Sequence, residues 1–169
     1  MTEEYPIFDI SDQNIDGYEQ MGTKSKFWYT DSQTGKEYLF KSIHTEDQNG
    51  NPIKRKGEDW AEKIACGVAE LLNIPHANYD LAYYNGERGV RSEKFTNSGD
   101  NMFFGNELIE HVANKINFQL EHGQHSQKVE RVIAILNRIV VNPPTGWEPS
   151  HQIETAFDVF IGYVLLDVL

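Results

Sequence analysis

The spacing of apolar residues along the chain changes several times, and each change marks an element. Residues 26–30 (KFWYT) are rich in aromatics and read as a strand, 31–35 (DSQTG) as a turn, and 37–43 (EYLFKSI) as a second, antiparallel strand. Along the second strand Tyr38, Phe40 and Ser42 face one way, and Leu39, Lys41 and Ile43 the other. Residues 44–57 mix charges with Gly50 and Pro52, carry no apolar period, and read as a loop. The period then lengthens. Trp60, Ile64, Val68 and Leu72 recur every fourth residue beside Ala61, Ala65 and Ala69, which predicts an amphipathic helix over 58–72. Glu58 and Asp59 suit its positive N-terminal end, and Asn73 and Pro75 its stop.

Two further strands are predicted at 79–84 and 89–95, joined by the hairpin signal Asn85-Gly86-Glu87-Arg88. After a polar loop over 96–105, the pattern is helical only. Leu108, Ile109, Val112 and Ile116 place a helix over 107–120, 129–141 (VERVIAILNRIVV) is a second helix ended by Pro143-Pro144, and 151–169 is a third. The polar, acidic residues 1–20, with Gly17 as a breaker, read as an extended arm. The expected class is therefore α+β: an N-terminal arm (1–20), a small β-rich lobe with one main helix (21–97), and the beginning of an all-helical second lobe (98–169). The last helix finishes on an apolar run with no polar tail, and we expect something to follow or cover it.

Composition narrows the functional classes. Hydrophobic residues make up 39% of the 169, and charged residues 24%, a globular balance. The net charge of -11 argues against a direct, sequence-independent nucleic-acid binder, which needs a basic face. The lone cysteine, Cys66, excludes an internal disulfide or a cysteine-based zinc site and reads as helix packing in a reducing, cytoplasmic setting. No apolar run reaches the length of a membrane span, and the first ten residues do not read as a signal peptide.

Lys41 changes the picture. It shares a strand face with two aliphatic side chains, so it must either snorkel to water or meet a carboxylate. Glu62, on the following helix, is the proposed partner, with Glu58 one turn earlier as a rival. Ahead of them Gly22 lies in Met21-Gly22-Thr23-Lys24-Ser25-Lys26, a plain turn or a phosphate-covering loop. Taken singly, Lys41 reads more readily as a snorkelling lysine and Glu62 as a solvated helix residue. Their order is more informative. A glycine turn, a strand lysine, a helix carboxylate and a second hairpin, followed by helices, is the layout of a protein kinase, in which a rigid cation meets ATP phosphates and an opposing carboxylate holds it.

The stretches 22–28 (GTKSKFW), 38–41 (YLFK), 57–65 (GEDWAEKIA), 72–77 (LNIPHA), 79–82 (YDLA) and 89–95 (GVRSEKF) together resemble the HipA-like serine/threonine kinases. The resemblance is good over about 20–97, weaker from 100 to 150, and returns in the helix ending Leu166-Asp167-Val168-Leu169. It implies that Gly22, Thr23, Lys24 and Ser25 cover the ATP phosphates, with Thr23 or Ser25 a site of autophosphorylation. It further implies that Lys41 contacts the α and β phosphates, that Glu62 holds Lys41, and that 92–95 form the hinge to the adenine, with Glu93 offering a backbone carbonyl beside Phe95. ATP is the implied cofactor, with Mg2+ as its companion in the family.

In that family the last helix runs into a catalytic loop with an Asp-Arg-His then Asn pattern, followed by a second metal-binding aspartate. Asp80, Asp100, Asp158 and Asp167 do not sit in such motifs. The expectation is thus an ATP-binding portion that lacks catalytic residues and metal ligands and is inactive alone. Its expected partners are a protein substrate, a missing C-terminal half or an antitoxin-like protein. The alternative is a short pseudokinase-like regulatory or docking subunit. His111, His122, His125 and His151 lack companions at ligand spacing and read as surface residues; Trp28 and Trp60 read as core packing.

Overall fold

A computed structural model of the chain describes residues 5–18, 24–46, 49, 51–54, 57–115 and 128–167. The chain divides into two compact units, one of Met1–Leu71 with His76–Phe95 and one of Leu72–Pro75 with Thr96–Leu169.

The first unit is a twisted sheet and one helix. Its strands are β1 (Ile7–Asp9), β2 (Ile15–Tyr18), β3 (Lys24–Thr30), β4 (Glu37–Glu46), β5 (Pro52–Lys54), β6 (Tyr79–Tyr84) and β7 (Glu87–Glu93), in the order β1-β6-β7-β4-β3-β2, with β5 added to the end of β4. Pairing is antiparallel throughout except for β1 beside β6. The β6–β7 turn is the tightest kind. Tyr84 pairs with Glu87, and both intervening residues take positive φ, Asn85 at 49° and Gly86 at 83°, as a two-residue hairpin of right-handed twist requires. Between β3 and β4 the carboxylate of Asp31 accepts the amides of Gln33 and Thr34 at 3.0 and 2.9 Å, and Gly35 supplies a φ of 69°.

One face of the sheet carries the core. Phe27, Tyr29, Tyr38 and Phe40 are buried with Ile10 and Ala82, and Phe8, Ile15 and Tyr84 pack around them. Tyr29 stacks on Tyr38 at 5.6 Å, and Phe27 meets Phe40 at 5.1 Å and the edge of Tyr84 at 4.8 Å. Gly89 is needed here because a Cβ would meet the Lys41 carbonyl oxygen at 2.3 Å and the Phe40 ring at 2.9 Å.

The structure departs from the expected elements in three places. The segment read as an arm is part of the sheet: β1 adds to β6, Ile10 donates its amide to Tyr83 O at 3.1 Å, and its side chain is only 2% exposed. Its partner strand lies far along the chain, and its own apolar residues are too few to show a period. Residues 52–54, read as loop, pair with β4, whose last turns also extend past Ile43. That pairing is carried by backbone and leaves little trace in side-chain patterning. Third, α1 (Glu58–Leu71) forms where predicted, with Cys66 and Ala69 buried as expected, but Trp60 and Ile64 are 42% and 57% exposed and Asp59 is buried in their stead.

The second unit holds α2 (Gly105–Lys115), α3 (Val129–Arg138) and α4 (Ala156–Asp167). Ile109 and Ala113 of α2, Ile135 of α3 and Gly162 of α4 are buried. The parts of the predicted helices at 116–120 and 168–169 lie outside the described residues. The last helix starts later than its apolar pattern suggests because Thr155 caps it. Asp158 N–H donates to Thr155 Oγ1 at 3.2 Å, while the Asp158 carboxylate takes the Thr155 amide at 2.8 Å and its hydroxyl at 2.7 Å. Those bonds hold the Asp158 carboxyl below the usual carboxylate range. Residues 72–75 join this unit: Trp147 Nε1 donates to Asn73 O at 3.0 Å, the Tyr163 hydroxyl donates to Pro75 O, and Ile74 fills the space over Gly162.

Replacing Ile10 by Ala removes a core side chain and is expected to lower unfolding free energy by about 2–5 kcal/mol. Ile7→Ala, at a 62% exposed position, is expected to change it by less than about 0.5 kcal/mol. Urea unfolding of the two variants measures the contrast, and equal effects would return residues 1–20 to the status of an arm.

Candidate functional site

The face of the sheet opposite the aromatic core receives α1, and the contact combines buried Ile43, Leu81 and Val90 with a set of charged pairs. Asp59, Glu62 and Lys63 share one side of the helix, since positions three and four apart lie on one face. Each meets a partner on a different strand. Glu62 Oε1 takes the ammonium of Lys41 on β4 at 2.6 Å. Asp59 Oδ2 takes Arg88 of β7 through Nε at 3.0 Å and Nη2 at 2.6 Å. Lys63 Nζ donates to Tyr79 O at 2.7 Å and to Asp80 Oδ1 on β6 at 3.2 Å. Below this charged stretch Cys66 and Ala69 complete the packing; the Tyr79 amide donates to Cys66 Sγ at 3.4 Å.

Lys41 and Glu62 are each partly covered, with 27% and 28% of their side chains exposed. Burial pulls the Lys41 ammonium down, but the hydrogen bond and charge of Glu62 outweigh it, with Tyr79 and Glu58 adding, and its pKa ends above the ordinary lysine value. Lys41 is therefore a fixed cation at neutral pH, on a strand flanked by β3 and β7, with one side still open. The void between Lys41, Glu58, Asp59, Glu62 and Val90 is only about 10 Å³, room for no more than about one water. A ligand would reach the lysine from its open side rather than fill this space.

The other predicted residues fall as follows. Gly22 and Thr23 lie outside the described residues. Lys24 is the first residue of β3 and pairs with Thr45. Ser25 is exposed and borders a cavity of about 250 Å³ with Tyr18, Phe27, Phe40 and Tyr84, on the aromatic face and not on that of Lys41. Glu93 ends β7 opposite Tyr38, its carboxylate paired with Lys36 at 2.8 Å. The next amide, of Lys94, donates to Glu37 O at 2.9 Å, and Phe95 is 68% exposed. Lys41 pairs with Val90 in the same ladder, so three residues of strand, about 10 Å, separate the lysine from the end of β7.

Arg91 is a residue that sequence reasoning missed. Only 7% exposed, it lies between the rings of Phe8 at 3.4 Å and Tyr38 at 4.5 Å, and pairs with Asp80 at 3.3 Å and Asp31 at 3.7 Å. It ties β1, β4, β6 and the β3–β4 turn together. The signal was an arginine between Val90 and Ser92 in a strand with buried residues on both faces, which implies a paired charge.

Among the described residues, no group of three or more His, Cys, Asp or Glu is placed to hold a metal ion, and His122 and His125 lie outside them. No described helix is long and apolar enough to cross a membrane. The helical unit has a cavity of about 490 Å³ lined by Leu136, Val140, Trp147, Phe160 and Tyr163 among others. Its apolar walls do not suit a phosphate, and none of the predicted site residues lines it.

No family model and no curated protein sequence matches the chain. Among solved structures, the fold is similar to that of a Helicobacter pylori proinflammatory kinase, CtkA, with a TM-score of 0.60 at 15% identity. The match covers 96% of this chain and 49% of that one, so the chain spans about half the length of the structure it matches. The fold is thus kinase-like, a β-rich unit with its helix and then helices, as the order of elements predicted.

The raised pKa of Lys41 gives a signed prediction. The stabilisation it supplies is fully present below the unfolded lysine value, about 10.4, and is lost as pH rises through the higher folded value. The gap in melting temperature between wild type and Lys41→Met is expected to narrow in that alkaline range. A gap that stays constant across it would show that the ammonium is not engaged by Glu62.

Proposed function

We propose that this chain forms the nucleotide-binding part of a HipA-like protein kinase, with Lys41 as the phosphate-contacting cation and Glu62 as the group that holds it. The observation that carries the reading is the 2.6 Å contact between the strand ammonium and the helix carboxylate, within a fold that resembles a bacterial kinase. A lysine in this setting suits a nucleotide triphosphate on three counts. It is charged, it is positioned by a rigid strand, and it keeps part of its side chain open. The end of β7, about 10 Å along the ladder, supplies Glu93 and Phe95 as the backbone edge for an adenine.

When bound, ATP would supply the phosphoryl group for transfer to a protein serine or threonine. The residues of this chain bind and orient it: Lys41 offsets phosphate charge, Glu62 keeps the ammonium in register, and 92–95 select the base. In the family Mg2+ would accompany ATP; among the described residues no group of three or more His, Cys, Asp or Glu is placed to hold it. The substrate protein and any antitoxin-like or second-half partner belong to the same proposal, as does a glycine-turn cover at Gly22; Ser25, on the aromatic face, is left out of it.

Binding of ATP, followed by calorimetry, tests it. Wild type is expected to bind, and Lys41→Met to weaken binding by on the order of tenfold or more, as loss of a charge-assisted phosphate contact does. Glu62→Gln should weaken it less, because the cation remains but is no longer held. A folded wild-type protein with no affinity for ATP would sink the reading.

A further inference from the structure

The helix α1 carries two candidate packing faces, and the structure uses the less obvious one. Trp60, Ile64 and Leu71 form an apolar stripe that is 42%, 57% and 86% exposed. The inward face holds Asp59, 3% exposed, with Glu62 and Lys63 on the same side and the buried Cys66 and Ala69 further along it. The two faces differ by about 140° of helical rotation. Rolling the helix by that amount would bury Trp60 and Ile64 on the sheet, as their period predicts, and would carry Glu62 away from Lys41.

Something must select the charged face, and Asp59 is the group best built to do so. It is an acid buried at the first turn of the helix, held by two nitrogens of one guanidinium at 3.0 and 2.6 Å. Its other oxygen, Oδ1, is buried with no hydrogen-bond partner among the described residues. A buried acid with one oxygen unpaired depends on the partner that holds the other. The partner lies on β7, next but one to the hairpin turn, and the Arg88 guanidinium also lies 6.0 Å from the Trp60 ring, against the outer stripe. Asp59 precedes Glu62 by three positions, so fixing one fixes the angular position of the other.

We propose that the Asp59–Arg88 pair is a positioning device that holds α1 on its charged face against its apolar one, and so delivers Glu62 to Lys41. Neither residue is assigned a contact with nucleotide. The consequence for ATP rests on the function proposed above; the consequence for the helix does not.

The test uses the full chain labelled with 5-fluorotryptophan, with the Trp60 resonance identified by its loss in Trp60→Phe. In wild type that resonance should show the solvent isotope shift of an exposed indole. In Arg88→Met and in the isosteric Asp59→Asn it should move and lose most of that shift, as Trp60 turns inward. Arg88→Lys, which keeps a cation for Asp59, should restore the wild-type resonance in part. ATP affinity should fall in parallel, on the order of tenfold, with the same partial rescue. Far-UV circular dichroism establishes that each variant is folded, and Asp59→Asn carries the test if Arg88→Met is not. A Trp60 resonance that stays solvent-exposed in the folded variants overturns the proposal. If wild type binds no ATP, the functional reading fails, and the fluorine shift alone decides the role of Asp59 and Arg88.

Discussion

An ammonium group against a protein sheet needs either water or a counter-charge, and Lys41 obtains a counter-charge from Glu62. Burial opposes its charge, the carboxylate restores it, and the balance leaves a cation that neither swings into solvent nor loses its proton at neutral pH. The rest of the first unit is arranged around that constraint. β4 must lie between β3 and β7 so that Lys41 is held on a rigid strand, and α1 must present acids rather than aliphatics. The helix face buries the smaller apolar groups Ile43, Leu81, Val90, Cys66 and Ala69 beside its ion pairs, and the large aromatic rings are buried on the opposite face.

That division of labour explains the aromatic layer. Phe27, Tyr29, Tyr38 and Phe40 pack with Ile10 and Ala82 on one side, where apolar area stabilises the sheet. The ion pairs on the other side add orientation more than stability, since partly exposed pairs contribute little net free energy. Arg91 works on the aromatic side, where a buried guanidinium between two rings is paired by Asp80 and Asp31. Asp80 also takes Lys63, so one carboxylate links the two faces.

A nucleotide is the proposed ligand on the strength of the charged contact within a kinase-like fold. The helical unit adds a capped last helix and an apolar cavity, and neither contributes a charged group of the kind a phosphate needs.

Much of this was legible before any coordinates. The alternation in 37–43 placed Lys41 opposite Tyr38 and Phe40, the Asn85-Gly86 pair announced the hairpin, and the ordering of strands before helices gave the kinase-like class. Glu62 was proposed as the partner from the kinase-like order of elements, with Glu58 one turn earlier as a rival. Only packing separated them. The same residues show where sequence reading stops. The period of Trp60, Ile64, Val68 and Leu72 described a helix correctly and its buried face wrongly, because hydrophobic spacing cannot see that the opposing strands offer Lys41, Arg88 and Asp80. β1 and the burial of Ile10 were hidden for a related reason, as their partner, β6, is remote in the chain. Local pattern thus determined most of the helices and strands and singled out Lys41 and Glu62 as candidates. The pairing of charges across elements was decided by tertiary structure, because Coulomb and hydrogen-bond energies depend on distances that no spacing along one strand encodes.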